Sequence, residues 1–200
     1  MSRARVRPTR DETRERIFAA AAGVFAEHGV AATTVEQIAA AAGFTRGAFY
    51  SNFDTKDELA VAMLDDHVTR SYVHNRALAR DHPDAAGLVQ ALRDDLDRQD
   101  PLHRNPLLQV ELMLYVARRP DLRPLMGERL ASLRRLVGEV AVSALAAEGV
   151  EDADPDAVGT ILVALEDGLR LHRLVDPEST PSGAFLDALD ILRRMVTPTR

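Results

Sequence analysis

The sequence has no cysteine and no tryptophan. Lacking thiols, it has no disulfide framework, no thiolate zinc or iron–sulfur site and no cysteine nucleophile. It also lacks any run of about 20 uninterrupted apolar residues, the length a membrane helix needs. Its first residues alternate Arg with small side chains instead of leading into an apolar signal segment. Neither a membrane span nor secretion by a signal peptide is expected, and the cytoplasm is the expected compartment. The signatures of catalysis are missing too. His28, His67, His74, His82, His103 and His172 show no H-x-x-x-H or H-E-x-x-H spacing, and there is no G-x-S-x-G and no phosphate-cradling glycine loop. His67 and His74 share a helix face, which reads as a surface pair. No enzyme, metal site or cofactor is expected.

What is present is 200 residues, 46% hydrophobic and 28% charged, enough for one core or for a small module beside a larger one. The net charge of -6 argues by itself against a polyanion-binding chain. Its distribution argues the other way. Residues 1–56 hold eight basic groups (Arg3, Arg5, Arg7, Arg10, Arg14, Arg16, Arg46, Lys56) against six acidic ones, whereas the remaining residues hold 17 against 25. That asymmetry fits an N-terminal part that meets a polyanion. Aromatic residues are few, yet Phe18, Phe25, Phe44, Phe49, Tyr50 and Phe53 cluster in one short stretch. Large rings supply the most buried area per residue, which a module too small for an ordinary core requires.

Helix-start signals divide the chain. Thr9 with Glu12, Thr34 with Gln37 and Thr55 with Glu58 have the spacing of capping boxes, and Thr45 can cap a helix beginning at Arg46. Gly29 and Gly43 close the first two helices. The fourth runs from Lys56 to about Arg80. Beyond it, prolines set the expected boundaries of further helices at 84–99, 105–119, 121–148, 155–175 and 181–196. No segment alternates as a strand does. The expected fold is all-α with about nine helices: a flexible basic arm at 1–8, a three-helix module at 9–55 and a larger helical domain at 56–200.

Segment 35–53, VEQIAAAAGFTRGAFYSNF, is the most informative part. Ala39 and Gly43 are small where two helices must cross closely, and Ile38, Phe44 and Phe49 can fill the space between them, as a helix-turn-helix requires. The second helix then offers Thr45, Arg46, Gly47, Tyr50 and Asn52 to solvent, an unobstructed face suited to a major groove. With Thr34, Ile38-Ala39, Ala42-Gly43, Arg46-Gly47, Phe49-Tyr50, Phe53 and Lys56-Glu58 at these positions, residues 10–64 resemble the N-terminal motif of tetracycline-repressor-like (TetR family) regulators. The resemblance implies a homodimeric, ligand-responsive repressor of transcription that binds a pseudo-palindromic double-stranded DNA operator and is released by a small molecule. An activator, or an effector-free DNA-binding protein of the same fold, is the alternative. It further implies base contacts from Arg46 and Thr45 and phosphate contacts from Thr34, Tyr50 and Lys56. Asn52 departs from the aromatic residue or His often found at its position.

Physical chemistry supports these roles. Arg46 can donate two hydrogen bonds to guanine, worth about 1–3 kcal/mol against a wrong base. Lys56, the only lysine, stands at a helix N-terminus, where a cation is disfavoured unless an anion approaches. An arm carrying Arg3, Arg5, Arg7 and Arg10 can follow the DNA backbone or serve only as a solubilising tail.

In the larger domain, helix 105–119 is apolar almost all round, so Glu111 within it is expected to be a costly buried carboxylate. It either pairs with an Arg or, with Leu108, Met113, Tyr115 and Met126, lines an effector pocket. The two C-terminal helices carry more apolar surface than one face can hide. Ile161, Leu165, Leu169, Phe185, Leu189 and Leu192 are expected to pack against a second copy as a four-helix bundle.

Overall fold

Backbone N–H groups at a helix start have no partner within the helix, and side chains at fixed spacing supply them. The Glu12 N–H donates to Thr9 Oγ1 at 3.2 Å, and the Thr9 N–H donates to Glu12 Oε2 at 2.7 Å. Thr34 and Gln37 repeat this at 3.3 and 2.8 Å. The two helices that follow are α1 (Arg10–His28) and α2 (Val35–Ala41). Next come α3 (Arg46–Tyr50), α4 (Lys56–Asp81), α5 (Ala85–Asp94), α6 (Pro106–Ala117), α7 (Arg123–Ala146), α8 (Pro155–Val175) and α9 (Ala184–Val196). This computed structural model describes residues 9–95 and 105–197, among which there is no strand. Arg3, Arg5 and Arg7 of the expected basic arm, and the end of the helix expected at 84–99, lie outside the described residues.

The chain forms two compact units. The first, the head, runs through Leu64 and also takes in Leu107–Leu122, so α6 belongs with α1–α3 and the start of α4. The module expected at 9–55 is thus the nucleus of a larger unit. Its buried side chains include Ile17 and Phe25 from α1, Ile38 from α2, Phe49 from α3, Leu59 from α4, and Leu108 and Leu112 from α6, each fully or almost fully buried. Phe53 stacks on Phe18 with ring centroids 5.7 Å apart and lies 5.8 Å from Phe49. Three rings of the early aromatic cluster, Phe25, Phe49 and Phe53, are buried in the core of the head.

The second unit comprises Asp65–Pro106 and Arg123–Arg200. Here α7 and α8 pack along one another, α9 packs on α5 and α8, and α5 also touches α7. The crossing of α7 and α8 is unusually close. A Cβ placed on Gly138 would lie 1.8 Å from the Pro155 carbonyl oxygen, and one on Gly159 would lie 1.8 Å from that of Arg134. Only hydrogen fits at either position. Ala85, Leu88 and Ala144 form a small core here, flanked by Leu78, Leu92, Val140 and Leu145.

Candidate nucleic-acid interface

The turn between α2 and α3 is set by Gly43, whose φ of 71° lies in the left-handed region that glycine enters freely. This lets the Phe44 N–H reach the Ala39 carbonyl at 2.9 Å and close α2. Thr45 then caps α3 by accepting the Ala48 N–H at 3.2 Å. Two arginines of α1 brace the assembly from behind. Arg16 donates to the Ala42 carbonyl at 2.9 Å with its guanidinium 4.4 Å from the Phe44 ring centroid, and Arg14 donates to the Asn52 carbonyl at 3.1 Å while lying 4.4 Å from that of Phe53. Sequence reasoning counted both as charges available to a polyanion; the structure uses them to hold α3 in place.

With Phe49 fully buried, α3 presents Thr45, Arg46, Gly47 and Tyr50 on its exposed side. Asn52 corrects the expectation. It is buried, because its Nδ2 donates back to the Ala48 carbonyl at 2.8 Å and finishes the helix, so it is not part of the outward face. Arg46 donates to the Tyr50 hydroxyl at 3.4 Å, spans the Tyr50 ring at 5.3 Å, and pairs with Glu36 of α2 at 3.0 Å. The hydrogen bond to Tyr50, and then the Glu36 charge, raise its pKa further, so it is a permanent cation. Glu36 was not singled out in the sequence; its signal was only a carboxylate in the first turn of the helix preceding α3.

Thr34, at the start of α2, is exposed, and its hydroxyl donates to Gln37 Oε1 at 3.1 Å. Lys56 is occupied. Its ammonium donates to the carbonyls of Val30, Ala31 and Thr33 at 2.7, 3.0 and 2.6 Å, which uses the three protons it has. Those carbonyls, at the end of the α1–α2 loop, relieve the conflict of a cation at a helix N-terminus. Burial lowers the Lys56 pKa, nearby Arg119 lowers it further, and Asp57 partly opposes both.

Of the residues expected to line an effector pocket, Glu111 and Tyr115 share one cleft. Leu108, Glu111, Met113 and Tyr115 lie in the head, while Met126 lies in the second unit. Leu108 is fully buried core. The Tyr115 hydroxyl donates to Asp57 Oδ1 at 2.5 Å, Arg119 holds Asp57 Oδ2 at 2.8 Å, and the Arg119 guanidinium covers the Tyr115 ring at 4.3 Å. Burial, then the hydrogen bond to Asp57, push the Tyr115 pKa well above the ordinary phenol range. Glu111 is half-buried, on an open cleft of about 410 Å³ with Ala31, Tyr115, Arg118 and Arg119. It is not deeply buried because α6 is not enclosed all round: Leu107 and Leu114 are each 47% exposed.

Comparison with known protein families covers this helix-turn-helix and the larger helical domain separately. The model of bacterial regulatory proteins of the tetR family matches residues 17–63, and the tetracyclin repressor-like C-terminal domain matches residues 83–198, more than half of the sequence. The chain belongs to the TetR family of transcriptional regulators. Its regulatory class is not enzymatic. The HTH-type transcriptional regulator TtgR of Pseudomonas putida is 39% identical over 89 residues, covering 44% of this TetR-family chain and 42% of its own length. The chain therefore matches less than half the length of that curated relative. Among solved structures, a SmeT–triclosan complex is 27% identical with a TM-score of 0.70, covering 93% of this chain and 92% of that one. A transcriptional regulator from Rhodococcus sp. Rha1 is 26% identical with a TM-score of 0.68, covering 92% and 95%. Among the described residues of this TetR-family regulator, no group of side chains is arranged to hold a metal ion and no helix is long and apolar enough to cross a membrane.

Proposed function

We propose that this TetR-family regulator is a repressor that binds a pseudo-palindromic operator as a homodimer and is released by a small molecule held in its second unit. The outward placement of Arg46, Thr45 and Tyr50 on a braced α3 carries the reading. Arg46 and Thr45 read base edges, and Gly47 keeps the face low enough for close approach. Tyr50 and Thr34 hold phosphates. Lys56 serves this surface from beneath by fixing the loop that precedes Thr34. Two heads about one helical turn apart, roughly 34–36 Å, read the two half-sites.

Dimerisation is supported by the apolar residues left uncovered on the last two helices. Ile161 is 58% exposed, Leu192 37%, Ile191 60% and Met195 76%. Leu165 and Leu169 are half-buried beside them. Phe185 and Leu189, expected at the same interface, are half-buried and also line a cavity of the second unit. Coupling to a ligand runs through α4, one continuous helix whose residues to Leu64 belong to the head and whose later residues belong to the second unit. The ligand weakens DNA binding by its differential affinity for the two states, and by no more than that.

Selection of bound fragments from random duplexes tests the proposal. The full chain is expected to enrich an inverted repeat whose half-site centres lie one helical turn apart; enrichment of single sites or of no shared sequence contradicts it.

A further inference from the structure

The second unit contains two adjoining hollows of opposite character. One is an apolar chamber of about 110 Å³ with Leu88, Leu162, Val163, Phe185 and Leu189 among its walls. The other is an open cleft of about 290 Å³ between α4 and α7, bordered by Arg76, Arg80, Glu139 and Ser143. Tyr72, Leu136 and Val140 line both, so the cleft and the chamber are neighbours.

The two arginines of the cleft are held by no ion pair among the described residues. Arg76 donates to the neutral Tyr72 hydroxyl at 2.8 Å and covers that ring at 5.8 Å. Neither it nor Arg80 has a carboxylate partner among the described residues, although Glu139 borders the same cleft. They stand four residues apart on one helix face, where like charges repel. The helix dipole accounts for Arg80 in the last turn of α4, but Arg76 lies a turn deeper. Because the Tyr72 hydroxyl accepts from Arg76, its own proton remains for another acceptor. Inside the chamber the single carboxylate, Glu166, is already paired with Arg170 at 2.6 Å. The charge left unbalanced is therefore positive and sits in the neighbouring cleft.

From this we infer that the effector is an anionic amphiphile, an organic acid whose short alkyl or single-ring body fills the chamber while its carboxylate or equivalent acid group is held by Arg76, Arg80 and the Tyr72 hydroxyl. The chamber is somewhat smaller than the roughly 150 Å³ cavity that accommodates one benzene ring, so it takes the end of such a molecule and the cleft takes the rest. The inference rests on the reading of the second unit as the effector unit.

Octanoate, n-octanol and octylamine share one carbon chain and differ in head charge, and their binding to the full chain can be compared by calorimetry. Octanoate is expected to bind about tenfold more tightly than n-octanol, with octylamine weakest. In the Arg76→Gln, Arg80→Gln double variant the advantage of octanoate over n-octanol disappears while n-octanol binding is kept, which serves as the control for folding. Glu139→Gln, which removes the competing carboxylate, tightens octanoate. Equal binding of octanoate and n-octanol, preference for octylamine, an advantage that survives the double variant, or no binding of any of the three overturns the assignment. Release of operator DNA separates this from the effector reading. If n-octanol releases DNA and octanoate does not, the anionic class fails and the effector reading stands. If octanoate binds through the two arginines without changing DNA affinity, the site stands and the effector reading fails.

Discussion

Replacing Gly138 by alanine tests the closest packing in the molecule. The new Cβ would sit 1.8 Å from the Pro155 carbonyl oxygen, 2.6 Å from its carbon and 3.1 Å from the Gly159 nitrogen, all backbone atoms that no side-chain rotation can move aside. Restoring ordinary contact requires α7 and α8 to part by about 1.5 Å, with loss of dispersion contacts along both. Overpacking costs about 1–3 kcal/mol, and a rigid backbone obstacle places this case near about 3. Removing a glycine from a helix interior returns about 1 kcal/mol. The net of about 2 kcal/mol lowers the melting temperature by about 4–8 °C for a chain of this size. Gly127→Ala, in the same helix, is the matched control, since an added Cβ there meets nothing within 4 Å. It gains the propensity term alone and is expected to stabilise by about 0.5–1 kcal/mol. Thermal unfolding followed by far-ultraviolet circular dichroism should move the two variants in opposite directions. If Gly138→Ala melts with Gly127→Ala or above the parent, the glycine crossing is not as close as described.

Other consequences can be checked independently. Glu36→Gln removes a carboxylate 3.0 Å from Arg46 on the DNA-facing side, so affinity for unrelated duplexes should rise about two- to tenfold and the salt slope steepen by about one contact. The pair is exposed, so stability should change by less than about 1 kcal/mol; weaker DNA binding in fluorescence anisotropy would refute the reasoning. Tyr115 is held protonated by burial and by Asp57, with its folded pKa raised above the unfolded value near 10. Its contribution is fully present below about pH 10 and declines as pH rises toward the folded pKa, so the parent should lose stability more steeply than Tyr115→Phe above about pH 10 in denaturant titrations. At neutral pH the same variant should cost about 1.5–3 kcal/mol, the range for a hydrogen bond to a charged group. Ile191→Glu, at a position 60% exposed on α9, should leave the monomer folded and abolish dimerisation in sedimentation velocity; an unchanged dimer would place the interface elsewhere.

The parts of the fold legible in the sequence were those fixed by interactions a few residues apart. Thr9 with Glu12 and Thr34 with Gln37 locate two helix starts because each pair closes on itself, and Asp154 before Pro155 marks α8 by the same local logic. The aromatic cluster announced the head's core because a small module must bury rings. Long-range partnerships were not legible. Nothing near Lys56 in the chain signals that its ammonium is held by carbonyls at 30, 31 and 33, and nothing within α6 shows that it packs with the head. Periodicity could not separate Phe185 and Leu189, which line the chamber, from Leu192, which is exposed, because the three fall on one face of α9. The α7–α8 crossing did leave a trace: Gly138 and Gly159 are glycines in helix interiors, where that residue is costly unless two backbones must touch. Asn52 was misplaced because a short polar side chain after a helix can turn to solvent or back onto a carbonyl, and only the Ala48 bond decides which.

The central claim is that Arg46 reads DNA sequence from an outward-facing α3, and the most direct measurement is the affinity of Arg46→Ala for a selected inverted repeat and for a scrambled duplex of equal length at one fixed salt concentration. Loss of a bidentate contact of about 1–3 kcal/mol predicts a fall of about ten- to hundredfold per half-site on the selected sequence and a much smaller fall on the scrambled one. An equal fall on both would make Arg46 a phosphate contact, and no fall on either would place the DNA-reading surface somewhere other than α3.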